Sequence, residues 1–101
     1  MKMILTVTMP HEHFNSYTKD GTIGKILADI MAELKPEAAY FSLNDGKRCA
    51  FLVVNVDKAS DYVKYAEPFF LKFKADIKFD IVITPEEIKN SGLEEIGKKY
   101  A

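Results

Sequence analysis

A run of strand-forming residues from Arg48 to Val56 is apolar on both of its faces. It contains no Gly or Pro, and residues typical of strands dominate it. A strand with one face in water alternates apolar and polar side chains, whereas between Cys49 and Val56 only Asn55 interrupts the apolar pattern. One face carries Ala50, Leu52, Val54 and Val56, and the other carries Cys49, Phe51 and Val53. The pattern therefore predicts a central strand that is covered on both sides.

Three further strands and three helical segments are predicted around this strand from their apolar spacing and their breaks. The strands are residues 2–9, 37–43 and 75–84, and Asn44-Asp45-Gly46 is typical of a hairpin turn between the second and the central strand. The last strand carries charges on one side, which suits the edge of a sheet. The first helix is predicted over residues 22–35, and the second begins at Asp57 or Ser60. A final helix begins at Thr84-Pro85-Glu86-Glu87 and is interrupted at Ser91-Gly92.

Two segments have less regular patterns. Residues 11–21 are polar with two aromatics, and we expect an irregular helical turn or loop that breaks at Asp20-Gly21. In the second helix, Glu67-Pro68 is expected to break or kink the chain, because proline removes a helical hydrogen bond and clashes with the preceding turn. A short second helical piece with Phe69, Phe70 and Phe73 would follow and pack on the core.

The order of elements is β-α-β-β-α-β with an extra C-terminal helix, so the predicted fold is α+β and ferredoxin-like, with a four-stranded antiparallel sheet. We expect a single domain over residues 1–101. Two crossover helices cover one face of such a sheet and leave the other open. Because the central strand is apolar on both faces, the open face is predicted to pack against a second copy of the chain in a two-fold dimer. The sequence does not fix which face meets the partner.

Composition and charge exclude several classes of function. The formal net charge is −1 at pH 7, so no basic surface for nucleic acid or anionic membrane is expected. The single cysteine, Cys49, excludes an intramolecular disulfide and multi-cysteine metal sites. No segment is long and apolar enough to span a bilayer, and the amino terminus is typical of a strand and not of a secretory signal, so the expected location is the cytoplasm.

Four segments carry a likeness to known proteins: residues 34–41 (LKPEAAYF), 50–54 (AFLVV), 66–69 (AEPF) and 84–87 (TPEE). On these the chain resembles the dimeric α/β-barrel superfamily, and within it small bacterial proteins with no assigned activity. The superfamily includes small cofactor-free monooxygenases and muconolactone isomerase-like proteins. The resemblance covers the whole chain and implies a dimeric barrel without a cofactor, but it transfers no catalytic residue, because one fold hosts many functions.

Four side chains are candidate ligand-binding residues. On an extended segment His11 and His13 would point the same way and could hold a metal, but no third ligand is evident, so we predict no metal site. They can instead form a solvated loop or a polar contact beside a ligand. Glu67 lies among aromatics at the helix break, where it can act as acid or base or satisfy backbone groups at the kink. Tyr40 can line a pocket with its hydroxyl or lie at an interface.

Two functions are compatible with these features. The first is a small homodimeric module that binds a small apolar or aromatic molecule in a cleft, without chemistry. The second is a cofactor-independent enzyme, monooxygenase-like or isomerase-like, that acts on such a molecule. Aromatic richness and the long first connection favour the second, whereas the scarcity of convergent ionisable groups favours the first. The sequence does not identify the ligand.

Overall fold

The computed structural model describes all 101 residues, which form four strands and five helices. In chain order they are β1 (Lys2–Met9), α1 (His11–Asp20), α2 (Ile23–Leu34), β2 (Ala38–Asn44), β3 (Lys47–Asn55), α3 (Asp61–Phe73), β4 (Asp76–Ile81), α4 (Pro85–Lys89) and α5 (Leu93–Lys99). The protein is therefore of the α+β class, as predicted.

The strands form one antiparallel sheet in the order β2-β3-β1-β4. This open sheet is consistent with the predicted ferredoxin-like pattern. The central position of β3 and the edge position of β4 are confirmed. Asp45 and Gly46 connect β2 to β3 with φ values of 51° and 75°. Positive φ at both central residues is typical of the two-residue hairpin turn that matches strand twist, so the predicted hairpin is also confirmed.

The helices α1, α2 and α3 cover one face of the sheet, called the covered face below. The core lies there, because β1 and β3 each turn alternate apolar residues toward the helices. Its fully buried members include Leu5, Val7, Met9, Ala50, Leu52, Phe69 and Phe73. The opposite face of the sheet, called the open face, has no helix over it.

The connection after β1 contains more helix than the sequence indicates. Residues 11–20 form the full helix α1, so the expected irregular helical turn is a regular helix of 10 residues and the alternative of a loop was wrong. The predicted break at Asp20-Gly21 is present: Gly21 has a φ of 81° and ends α1 through backbone hydrogen bonds to Thr18 and Tyr17. A helix this polar shows little apolar periodicity, and its stability comes from packing of Phe14 and Tyr17 against the core.

Two predicted boundaries were also wrong. The helix α3 continues through Pro68 as one element of 13 residues, without the predicted break and second piece. Phe69 and Phe73, which follow the proline, are fully buried, and this burial offsets the lost hydrogen bond and the local clash. The last strand ends at Ile81 and not at Thr84: Val82 still donates a backbone hydrogen bond to the Lys2 carbonyl oxygen, and the chain leaves the sheet after it.

Residues 82–101, called the C-terminal arm below, contain α4 and α5. Thr84 accepts a hydrogen bond from the Glu87 backbone and Glu87 accepts one from the Thr84 backbone, so the predicted capping box is confirmed. The predicted interruption at Ser91-Gly92 separates the two helices. Neither helix has a buried residue. None of the five helices has the length and apolar character that crossing a membrane requires.

Candidate interaction surface

The open face has a regular layout, because the register aligns its side chains in rows across the strands. Each row runs from β2 through β3 and β1 to β4. The rows are Ala38–Val53–Ile4–Asp80, Tyr40–Phe51–Thr6–Lys78 and Ser42–Cys49–Thr8–Asp76. Apolar residues therefore occupy the first two rows on β2 and β3, and charges occupy β4.

The most exposed apolar side chains of this face lie opposite one another. Tyr40 is 65% exposed and Phe51 is 37% exposed, and they form a cross-strand pair. Opposed side chains in such a pair have Cβ atoms about 4.5–5.5 Å apart, so the two rings make one continuous surface. Val53 and Ile4, in the neighbouring row, are half-buried. The centre of the open face is thus an apolar patch with the Tyr40 hydroxyl at its edge.

A polar cluster bounds this patch where β1 begins and β3 ends. The Asn55 side-chain amide donates to Glu37 Oε1, and Lys2 Nζ lies 3.2 Å from Glu37 Oε2. The hydrogen bond from Asn55, and after it the contacts with Lys2, hold the pKa of Glu37 below its ordinary value. All three groups are accessible to water, so they form a polar rim and contribute little to stability by themselves.

The opposite end of the face is closed around the single cysteine. The Asn44 amide donates to Thr8 Oγ1 over 3.2 Å, across the intervening strand β3, and Cys49 beside this contact is fully buried. Burial raises the pKa of the Cys49 thiol. Because the thiolate is the reactive form and a raised pKa disfavours it, Cys49 is a packing residue here and not a nucleophile.

The β4 edge of the face carries alternating charges. Asp76, Lys78 and Asp80 all point to the open face, and Lys78 Nζ lies 3.6 Å from Asp80 Oδ2. Charges on an edge strand discourage uncontrolled strand pairing. Because the signs alternate, no large charge of one sign builds up on this edge when it contacts a second copy or an apolar surface.

The structure does not bring the four sequence-derived candidate residues together. His11 and His13 lie in the first turn of α1, and Glu67 lies on α3, both in the helical layer. Tyr40 lies on the open face, so the sheet separates it from the other three. Because successive helical residues are rotated by about 100°, His11 and His13 project about 200° apart and do not form the paired geometry of an extended segment.

The first helix is instead fixed by a residue that the sequence reading did not select. Arg48 donates to Asn15 Oδ1 over 2.8 Å, and its guanidinium lies 4.2 Å from the centre of the Phe14 ring. The Tyr17 hydroxyl donates to the Lys72 carbonyl oxygen over 2.9 Å, which ties α1 to α3. Arg48 is the only charge on the covered face of an otherwise apolar strand, and a charge in such a place needs a polar partner. This feature of the sequence could have identified it.

The helical side of the molecule is filled by side chains. No pocket is present in the single chain, and no group of three or more His, Cys, Asp or Glu residues is placed to hold a metal ion. The surface that stands out chemically is therefore the open face, with its apolar centre, polar ends and charged edge.

Compared with protein-family models, curated proteins and solved structures, the chain matches none of them. The resemblance to the dimeric α/β-barrel superfamily accordingly stays a prediction.

Proposed function

We propose that the protein is a homodimeric binding module in which two open faces pack against each other. The observation that carries the proposal is the Tyr40–Phe51 pair, an aromatic surface across β2 and β3 on a sheet face that no helix covers. Together with Val53 and Ile4 it forms a contiguous apolar area, and exposed areas of this kind mark interaction sites.

A second copy fits this face better than an unrelated partner does. In an isologous pair whose two-fold axis runs along the strands, β3 of each copy lies over β1 of the other, so Val53 meets Ile4 and Phe51 meets Thr6 near the axis. The polar rim of Lys2, Glu37 and Asn55 then lies at the periphery, where interfaces are ordinarily polar.

A gap between the two packed sheets, beside the Tyr40–Phe51 pair, is the proposed ligand site. It would be lined by Tyr40, Phe51 and Thr6 from both copies, which supply aromatic walls and two kinds of hydroxyl group. A small, flat, mostly apolar molecule with one polar group suits such a lining, because pockets for small ligands are apolar with few orienting polar groups. Of the four sequence-derived candidates, this site uses Tyr40 and leaves out His11, His13 and Glu67.

Sedimentation equilibrium tests the dimer. The wild type should have twice the 11.5 kDa mass of the chain, and Phe51→Asp should be monomeric because it puts a carboxylate into the apolar centre. Leu71→Asp is the matched control, since Leu71 is an exposed apolar residue of α3 on the other side of the molecule. A monomeric wild type, or equal loss of the dimer in both variants, would overturn the proposal.

Titration with 1-naphthol, followed by NMR, tests the ligand site. Chemical shifts should change at Tyr40, Phe51 and Thr6 in the dimer, with no such change in Phe51→Asp. Changes confined to His11, His13 and Glu67 would place the site in the helical layer and contradict the assignment. Oxygen uptake with a hydroquinone in the same samples would favour the enzymatic alternative.

A further inference from the structure

The C-terminal arm lies outside the compact part of the molecule. The radius of gyration is 17.1 Å, whereas a compact chain of this length has about 13 Å. The molecule is 60 Å long but only 27 Å and 20 Å across. All fifteen buried residues lie between Leu5 and Ala75, so the arm contributes none of the core.

The arm nevertheless has an apolar side. Leu93, Ile96 and Tyr100 follow the spacing i, i+3, i+7, which aligns them along one face of α5. Ile83 and Ile88 precede them on the same segment. All five are between 42% and 77% exposed. The remaining positions of α5 are mostly charged, so the arm is amphipathic with nothing packed on its apolar side.

The helices of the arm are too short to be stable alone. α4 has five residues and α5 has seven, whereas isolated helices shorter than about 12–15 residues are marginal in water. The capping box at Thr84 fixes where α4 starts, but it contributes only about 1 kcal/mol. An ordered arm therefore needs a surface to pack on, and its own chain does not supply one.

The open face alone gives the proposed dimer an interface near the lower limit of the stable range. Four strands averaging between seven and eight residues cover about 500 Å² in projection, so two faces bury on the order of 1,000 Å² together. Stable interfaces bury about 1,200–2,000 Å². Two arms with five large apolar side chains each can supply the remainder.

A second unpartnered apolar surface lies at the other edge of the sheet. Phe41 and Leu43 on β2, called the β2 ledge below, point to the covered face but are 53% and 70% exposed, because no helix reaches over this edge. The arm starts from β4, at the opposite edge of the same sheet. In a face-to-face pair whose two-fold axis runs along the strands, the β4 edge of each copy lies beside the β2 edge of the other. The arm leaves β4 at Ile81, which is level with Met3, whereas the ledge is level with Val7 and Met9, so the arm has to turn back along the partner's β2 to reach it.

We propose that each C-terminal arm crosses to the second copy and packs its apolar side on that copy's β2 ledge. The inference rests on the proposed dimer and specifies how it is held together. Each arm then covers a ledge that its own chain leaves exposed, and each short helix gains the packing that it lacks. The two arms thus hold the paired sheets together, and this exchange of arms is called the clasp below.

The test begins with the dimer dissociation constant, measured by sedimentation velocity over a dilution series with the full chain. Ile88→Asp/Ile96→Asp should weaken dimerisation by at least ~10-fold, which corresponds to about 1.4 kcal/mol. Lys89→Ala/Lys98→Ala is the matched control, because it changes the net charge by the same amount on the polar side of the arm. It should leave the constant within about twofold of the wild type.

Mixing two defective variants shows whether the contact is between chains. Phe41→Asp/Leu43→Asp damages the ledge, and Ile88→Asp/Ile96→Asp damages the arm. Each homodimer has two damaged contacts, whereas the mixed dimer has one intact arm on one intact ledge. The mixed dimer should therefore be tighter than either homodimer by at least about threefold, because it regains one of the two contacts whose joint loss costs at least ~10-fold. All four substituted side chains are exposed in the single chain, so the variants should keep its fold.

The outcomes separate the two proposals. A wild type that stays monomeric at all concentrations overturns the dimer and the clasp together. A dimer that the arm variant weakens no more than its lysine control overturns the clasp alone. If the arm variant is weaker but mixing gives no gain, the arm packs on its own chain, and the exchange is wrong.

Discussion

Leu52 and Phe51 are neighbours on β3, and they end in different environments. Leu52 points to the covered face and is fully buried under the helices, whereas Phe51 points to the open face and is 37% exposed. Both are large apolar residues on the same central strand. The difference shows that apolar side chains on both faces of a strand identify two surfaces to be buried, while a single chain of this length supplies helices for only one of them.

Truncation of each residue to alanine should separate the two surfaces. Leu52→Ala removes fully buried atoms and should lower the free energy of unfolding by about 3 kcal/mol at every protein concentration. Phe51→Ala should act mainly by weakening the dimer, so the thermal midpoint should lose much of its dependence on protein concentration. Urea unfolding and thermal scans of both variants between low and high micromolar protein measure this.

The comparison fails if the two variants behave alike. Phe51→Ala could lower the free energy of unfolding as much as Leu52→Ala does, while the thermal midpoint of the wild type does not depend on protein concentration. The open face would then be part of the core of a single chain. Should neither variant depend on concentration and Phe51→Ala cost nothing, the open face would be an ordinary solvated surface.

Much of the fold could be predicted because the covered face is encoded locally. Alternation on the strands, the Asp45-Gly46 turn and the capping box at Thr84 are each short-range patterns, and all three are present. The predicted helix break at Pro68 was wrong for a long-range reason: Phe69 and Phe73 are buried against the sheet, and their burial holds the helix together. The rule that proline breaks a helix considers only the local sequence and does not include that contribution.

The candidate residues were less predictable, because their relative positions depend on the connection after β1, whose structure the sequence pattern does not indicate. Once residues 11–20 form a helix, His11 and His13 no longer project together, and the sheet lies between them and Tyr40. The course of the C-terminal arm was equally hidden. The spacing of Leu93, Ile96 and Tyr100 indicates an apolar helix face, but sequence spacing carries no information about which surface that face meets.

Arg48 is the only charged residue that the strands turn toward the helices, and it allows a second test of the covered face. Arg48→Met keeps much of the volume but loses the hydrogen bond to Asn15 and the stacking on Phe14, so it should cost about 1–2 kcal/mol of unfolding free energy. Arg48→Lys should recover only part, because an ammonium lacks the planar fork. A double-mutant cycle with Asn15→Ala measures the coupling, and zero coupling would mean that α1 is held by apolar packing alone.

The smallest expected effect is at the polar rim of the open face. The pKa of Glu37 lies below its ordinary 4.5, and the Asn55 hydrogen bond is the first cause, so Asn55→Ala should raise this pKa in a carboxyl-detected NMR titration, while Lys2→Ala should raise it less. A lowered pKa in the folded state means that the interaction stabilises the fold above pH 4.5 and that this contribution is lost as the pH falls through the lowered pKa. Because Glu37 is exposed in the single chain, salt should screen the part that comes from Lys2.

If the two open faces pack as proposed, the polar rim is partly shielded from water in the dimer. The lowering of the Glu37 pKa should then be smaller in monomeric Phe51→Asp than in the wild type. An identical pKa in both forms would place Glu37 outside the interface.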